Sequence, residues 1–259
     1  MRKPWTERDL LIAMNLYCRL PFGQFHRGNK LIQAVAESMG RTPSSVAMKL
    51  SNLASLDAYH QGRGVKGLRG ASQMDRKVWA GFHTDWTGMA AQSEAAMVAL
   101  MGEGGDPQPE IIGTKPEVGG QSPTGPTEIE AIRTVRRVQS FFRRTVVASY
   151  DSACALTGIR EPRLLVASHI ISWAKNEARR ADPTNGICLN ALHDQAFDRH
   201  LITFDEDWRL VVSPVLLAGE VPEFQAASFS RLEGTPLRRP HRFEPDAGAM
   251  AQHRAELVL

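Results

Sequence analysis

Cysteine is scarce in this chain: Cys18, Cys154 and Cys188 are the only three among 259 residues. None forms a CxxC pair, which excludes a zinc ribbon and a disulfide framework. Cys154 and Cys188 are expected to pack as small apolar groups. Long apolar runs are also missing. No stretch approaches the ~20 residues of a membrane span, and the opening MRKPWTERDL has no apolar core of a secretory leader. The expectation is a cytoplasmic protein with no membrane partner. Neither sign of charge dominates: the net charge is +3 and the pI about 8.9, which permits nucleic acid without requiring it. At 42% hydrophobic and 23% charged the composition is that of a globular protein, and the length allows two domains with real cores.

The most informative stretch runs from Leu164 to Phe204, LLVASHIISWAKNEARRADPTNGICLNALHDQAFDRHLITF. An apolar strand-like run delivers Ser168-His169 and the apolar pair Ile170-Ile171 follows. A loop rich in Lys and Arg leads to Asn185-Gly186, a turn signal. A second apolar run, Ile187 to Leu189, precedes a helix start with Asn190 as N-cap. The order is strand, His, loop, Asn, strand, helix with His.

This pattern resembles the HNH endonuclease family from about Cys154 onward. It is most similar to a bacterial restriction-type branch in which "SHI...W" and "NGICLNALHDQAFD" recur together. The resemblance implies a ββα-metal site, two antiparallel strands and a helix gripping one divalent ion. By position, His169 is the implied general base, Asn185 the residue that orients it, and His193 the metal ligand on the helix. Neutral imidazole, with an unperturbed pKa of ~6.5, can take a proton from water near neutral pH. A divalent ion relieves phosphate charge and stabilises the leaving oxygen. Mg2+ is the first choice, with Mn2+, Ni2+ and Zn2+ as alternatives.

Many such enzymes carry Asp or His before the base; here it is Ser168, a poorer ligand for a hard cation. His193 therefore needs help, and the helix offers Asp194 and Asp198, with Asp198 ranked first. His193 and Asp198, five apart, converge only if the helix ends early. His200 stands where Gly would be the usual terminator.

The expected fold class is α+β, in three parts. Residues 1–101 form a helical recognition domain, 102–127 a Gly/Pro-rich linker, and 128–259 the nuclease domain. In the first part, Thr6 caps a helix over 6–20, a second follows His26-Arg27-Gly28, and Thr42-Pro43 opens a third. These three resemble a helix-turn-helix or Myb-like trihelical module. Arg41, Ser45, Lys49 and Asn52 on or beside the third helix could reach bases and phosphates; a solvated polar face is the plain alternative.

The segment QGRGVKGLRG offers Arg63 and Lys66 to phosphates, or is a surface connection. Ser72-x-x-Asp75 reads as a capping box. The linker, dense in Gly and Pro, is expected to let the halves move relative to one another. A helix from Thr127 to Tyr150 carries Arg133, Arg136, Arg137, Arg143 and Arg144; Arg133, Arg137 and Arg144 are expected to contact phosphate. LITFDEDWRLVVSP reads as a hairpin.

The resulting expectation is a metal-dependent endonuclease acting on double-stranded DNA, in restriction of foreign or modified DNA. It is expected to pair as a homodimer at least on DNA, since one site acts on one strand. Two rivals stand beside it: a DNA-binding regulator with a decayed nuclease domain, and a nuclease gated by a module that senses a ligand or protein.

Overall fold

The computed structural model describes residues 3–62, 70–102 and 126–259. Arg63, Lys66 and most of the expected linker lie outside the described residues. The helices of the first part are α1 (Glu7–Arg19), α2 (Lys30–Ser38), α3 (Pro43–Ala54), the short α4 (Ala58–Gly62), α5 (Gln73–Thr84) and α6 (Trp86–Met101). The long α7 (Pro126–Ser149) leads to β1 (Leu165–His169), β2 (Gly186–Asn190) and α8 (Ala191–Asp198). After these come β3 (Ile202–Phe204), β4 (Leu210–Val212), α9 (Glu223–Ser228) and α10 (Ala247–Ala255).

Local chemistry starts these helices where the sequence places them. Thr6 with Asp9, and Ser72 with Asp75, form reciprocal capping boxes. Thr42 caps α3 with Pro43 at its first position. Gly40 ends the preceding turn at a φ of 62°, a left-handed conformation that glycine adopts without a Cβ clash.

The first three helices do not stand alone as a trihelical unit. Leu10, Met14 and Tyr17 of α1 are fully buried, and α1 packs chiefly on α6 and α7. The two hydrophobic clusters of the molecule divide inside α7. Val138 and Phe141 join the N-terminal core, whereas Phe142, Val146 and Val147 join the core beneath the strands. One continuous helix therefore serves both cores. Polar ties cross the same seam. Arg144 Nη2 donates to Glu94 Oε1 at 2.8 Å, and Arg242 donates to the carbonyls of Tyr17 and Leu20, the latter at 2.8 Å. The two parts, expected from the linker to move relative to one another, thus meet through this shared helix.

β1 and β2 pair antiparallel with Leu165 opposite Asn190 and His169 opposite Gly186. Asn185-Gly186 is not a hairpin turn. Pro183–Asn185 makes a 3-10 turn and Gly186 begins β2 in extended conformation. Its glycine is needed for close approach, since a Cβ would meet Val146 Cγ2 at 2.5 Å and Phe142 Cζ at 2.7 Å. The β3–β4 hairpin forms as expected, Ile202 opposite Val212.

Candidate active site

His169 closes β1 and its ring is sandwiched by neighbours. It stacks on Phe142 with centroids 3.8 Å apart and planes 11° apart, and meets Trp173 edge-on at 5.7 Å. Its Nε2 lies 3.1 Å from the Arg180 carbonyl. A carbonyl can only accept, so Nε2 carries the proton and Nδ1 keeps its lone pair. Burial pushes the imidazole pKa down to about 4, opposed by the bond to the Arg180 carbonyl. The ring is therefore neutral at physiological pH.

Asn185 acts one step behind the ring. Its Oδ1 accepts from Ile171 N–H at 2.8 Å, and its Nδ2 donates to the Ile171 carbonyl at 2.9 Å. Its backbone carbonyl accepts from Ile170 N–H at 2.9 Å. These bonds pin the two ends of the loop that presents the Arg180 carbonyl to His169. Arg180 itself is fixed by donating to the Trp173 carbonyl at 3.0 Å, with its guanidinium over the Trp173 ring. Asn185, expected to orient His169, makes these bonds to the loop instead.

His193 faces elsewhere. Asn190 Nδ2 donates to its Nδ1 at 2.8 Å, and its Nε2 donates to the Ser228 carbonyl at 2.8 Å. Asn190 also caps α8, its Oδ1 accepting from Leu192 N–H at 3.0 Å. With both ring nitrogens engaged and only 2% of its surface exposed, His193 offers no lone pair to an ion. The expectation of a His193 metal ligand is corrected on that ground.

The opposite face of α8 carries the acids. Asp194 and Asp198 are four residues apart and so share one face. Ser168 Oγ donates to Asp194 Oδ1 at 2.6 Å. Burial raises the Asp194 carboxyl above its ordinary range, opposed by the Ser168 and Gln195 hydrogen bonds and by the Arg143 charge. Asp198 lines a cleft of about 260 Å³ together with His169, Lys175, His200, His253 of α10 and Glu256 at its C-cap. The i, i+4 spacing of the two acids was legible in the sequence. The contribution of α10 was not, because it lies some fifty residues away along the chain.

Among the described residues no three His, Cys, Asp or Glu side chains are grouped closely enough to hold an ion by themselves. That donor set does not match a closed zinc site. A divalent ion held by one or two carboxylates would complete its shell with water and phosphate oxygens. The residues fit a divalent ion of that kind.

Among the described residues, most cations expected to meet DNA are engaged within the fold. Lys49 Nζ pairs with the buried Asp75 at 2.8 Å, and Asn52 is buried. Arg41 reaches Asp9 at 2.8 Å and the Lys3 and Pro4 carbonyls, and stacks over Trp5. Arg144 is held by Glu94, and Arg143 is buried against the Leu165 carbonyl. Arg41, Lys49, Asn52 and Arg144 are thereby corrected from phosphate or base contacts to groups that hold the fold together. Ser45 is half-buried; Arg137 pairs with Glu130 at 3.0 Å and Arg133 lies exposed at 4.0 Å from it.

A family model described as HNH endonuclease matches residues 154–205, the segment that holds β1, the loop, β2, α8 and β3. The match supports an HNH endonuclease domain in this segment and a nuclease enzyme in general terms. No curated protein matches the chain. Among the described residues, no helix is long and apolar enough to cross a membrane.

Proposed function

We propose that the protein is a metal-dependent DNA endonuclease in which His169 is the general base. The observation that carries this reading is the fixed tautomer of His169: Nε2–H is tied to Arg180, and Nδ1 is left to accept a proton in a cleft shared with Asp198. Water placed between Nδ1 and a phosphate loses its proton to His169 as it attacks phosphorus. Phe142 and Trp173 hold the ring plane, and Asn185 holds the loop whose carbonyl fixes the tautomer. Asp198 and Asp194 would hold the divalent ion, with Ser168 positioning Asp194. When bound, such an ion would supply Lewis-acid stabilisation of the phosphate and the leaving oxygen. Lys175, at the cleft and paired with Glu256 at 2.7 Å, is placed to exchange that partner for a phosphate.

One such site acts on one strand, so a double-strand break requires two protomers or two visits; we propose a homodimer on DNA. A role in restriction of foreign or modified DNA rests on the resemblance of "SHI...W" and "NGICLNALHDQAFD", and a cytoplasmic location on the lack of a membrane-spanning apolar run. Phosphate contacts are assigned to Arg133 and Arg137 on α7, with Arg63 and Lys66 as further candidates.

The test is cleavage of supercoiled plasmid by the full chain. Activity should vanish in chelator and return with Mg2+ or Mn2+. Cleavage that persists unchanged in chelator contradicts the reading, and accumulation of nicked plasmid alone contradicts the dimer.

A further inference from the structure

The His169 cleft has a charge balance that opposes a polyanion. Setting the imidazoles aside, the ionised groups lining it among the described residues are Lys175, Asp198 and Glu256, one ammonium against two carboxylates. Asp198 has a part in the proposed reaction, as a holder of the divalent ion, and Glu256 has none. Glu256 stands at the C-cap of α10, where two groups meet its carboxylate. Lys175 Nζ donates to Oε1 at 2.7 Å and to Oε2 at 2.8 Å, and His200 Nε2 lies 3.2 Å from Oε2. The bond from Lys175 holds the Glu256 carboxyl below its ordinary range, so the group is ionised. His200 presents its ring from a left-handed backbone, φ 54°, which disfavours a side chain. Its other ring nitrogen, Nδ1, is buried with no hydrogen-bond partner among the described residues. Two donors, one from the β1–β2 loop and one from just past α8, therefore converge on a single anion inside the cleft.

We propose that Lys175 and His200 form a subsite for a backbone phosphate of DNA, and that Glu256 fills it as an internal competitor which the incoming phosphate displaces. The inference rests on the nuclease reading and adds to it a residue that sets affinity for the substrate. A carboxylate and a phosphodiester both offer paired anionic oxygens to such donors. Exchange is easy because the pair is open to water: the side chains of Lys175 and Glu256 are 56% and 47% exposed, and an exposed ion pair is weak. The Lys49–Asp75 pair, at 7% and 0%, has no such freedom. Glu256 lies beyond the last helical residue of α10, so its side chain can turn out to solvent while the helix stays packed. Its departure leaves Lys175 to the phosphate and Asp198 to the ion.

The test is fluorescence anisotropy of a short labelled DNA duplex titrated with the full chain, at low ionic strength and in chelator so that nothing is cut. Glu256→Gln should tighten binding roughly three- to fivefold, the worth of an exposed ion pair; a damaged fold would not produce such a gain. Lys175→Gln should weaken binding and lower the slope of log Kd against log salt by about one. In the Lys175→Gln background, Glu256→Gln should lose its effect, because the two act on one subsite. His200→Gly, which suits the backbone at φ 54°, should weaken binding in the Glu256→Gln background. Unchanged affinity in Glu256→Gln overturns the competitor. An equal gain in the Lys175→Gln background makes the effect one of long-range charge and overturns the shared subsite. Unchanged affinity on His200→Gly removes the imidazole from it. A wild-type chain that binds no duplex overturns the nuclease reading itself, and the subsite with it, so the two failures are told apart.

Discussion

The β1–α8 region and the α3 region hold similar side chains and use them oppositely. On α3 and at its start, Lys49, Asn52 and Arg41 are consumed by the fold, the lysine against Asp75 and the arginine against Asp9 and two carbonyls. At β1 and α8, His169 spends one nitrogen on Arg180 and keeps the other, while Asp198 opens onto the same cleft. The difference teaches that a polar residue at a helix surface position is not thereby available. A polar group counts toward a site only after its donors and acceptors have been assigned.

The sharpest break in that comparison lies at the seam between the two regions. Glu94 is buried and bonded to Arg19, Arg144 and Asn15. Glu94→Ala removes the buried carboxylate shared by Arg19 and Arg144 and should cost about 3–5 kcal/mol. Urea unfolding should show it as a lower midpoint. A loss below about 1 kcal/mol would mean that the seam is hydrated and the two halves are not held as one unit.

The acids of α8 come next. Asp198→Ala should raise the Mg2+ concentration for half-maximal cleavage roughly 10–100-fold, and Asp194→Ala should raise it within the same range. An equal metal requirement in wild type and Asp198→Ala would remove that residue from the ion site. It would return attention to Ser168 and the first strand.

The smallest effect concerns acid. Burial pushes His169 and His253 down to about 4 in the folded chain, against ~6.5 when unfolded. Their protonation favours the unfolded state, so stability is fully present above pH ~6.5 and falls as pH drops toward 4. His253→Gln should flatten part of that fall in thermal melts taken across the window. A profile as steep as wild type would show that His253 does not carry it.

Much of this was legible in the sequence, for reasons that are local. Thr6, Thr42 and Ser72 announce their helices because a cap bonds within three residues. Ser168-His169, Asn185 and the α8 acids lie within one short segment with strong apolar punctuation. What was hidden depends on distant partners. His193 looks like a ligand until Ser228 supplies the carbonyl that takes its proton. Arg144 looks like a phosphate contact until Glu94 is found across the seam. Phe142 falls on the apolar stripe of α7, and nothing in that stripe says that its ring stacks on His169.

The most direct measurement compares His169→Ala with His193→Gln in single-turnover cleavage of the same DNA, at a temperature where both variants are folded by circular dichroism. His169→Ala should cleave roughly 10²–10⁴-fold more slowly than wild type, the range for loss of a general base, while still binding DNA in a gel shift. His193→Gln should keep its rate within about tenfold and its metal requirement near wild type, with a lowered Tm from the lost bonds to Asn190 and Ser228. If His193→Gln is as inactive as His169→Ala while folded, or if His169→Ala cleaves at the wild-type rate, the division of labour between His169 and His193 is wrong.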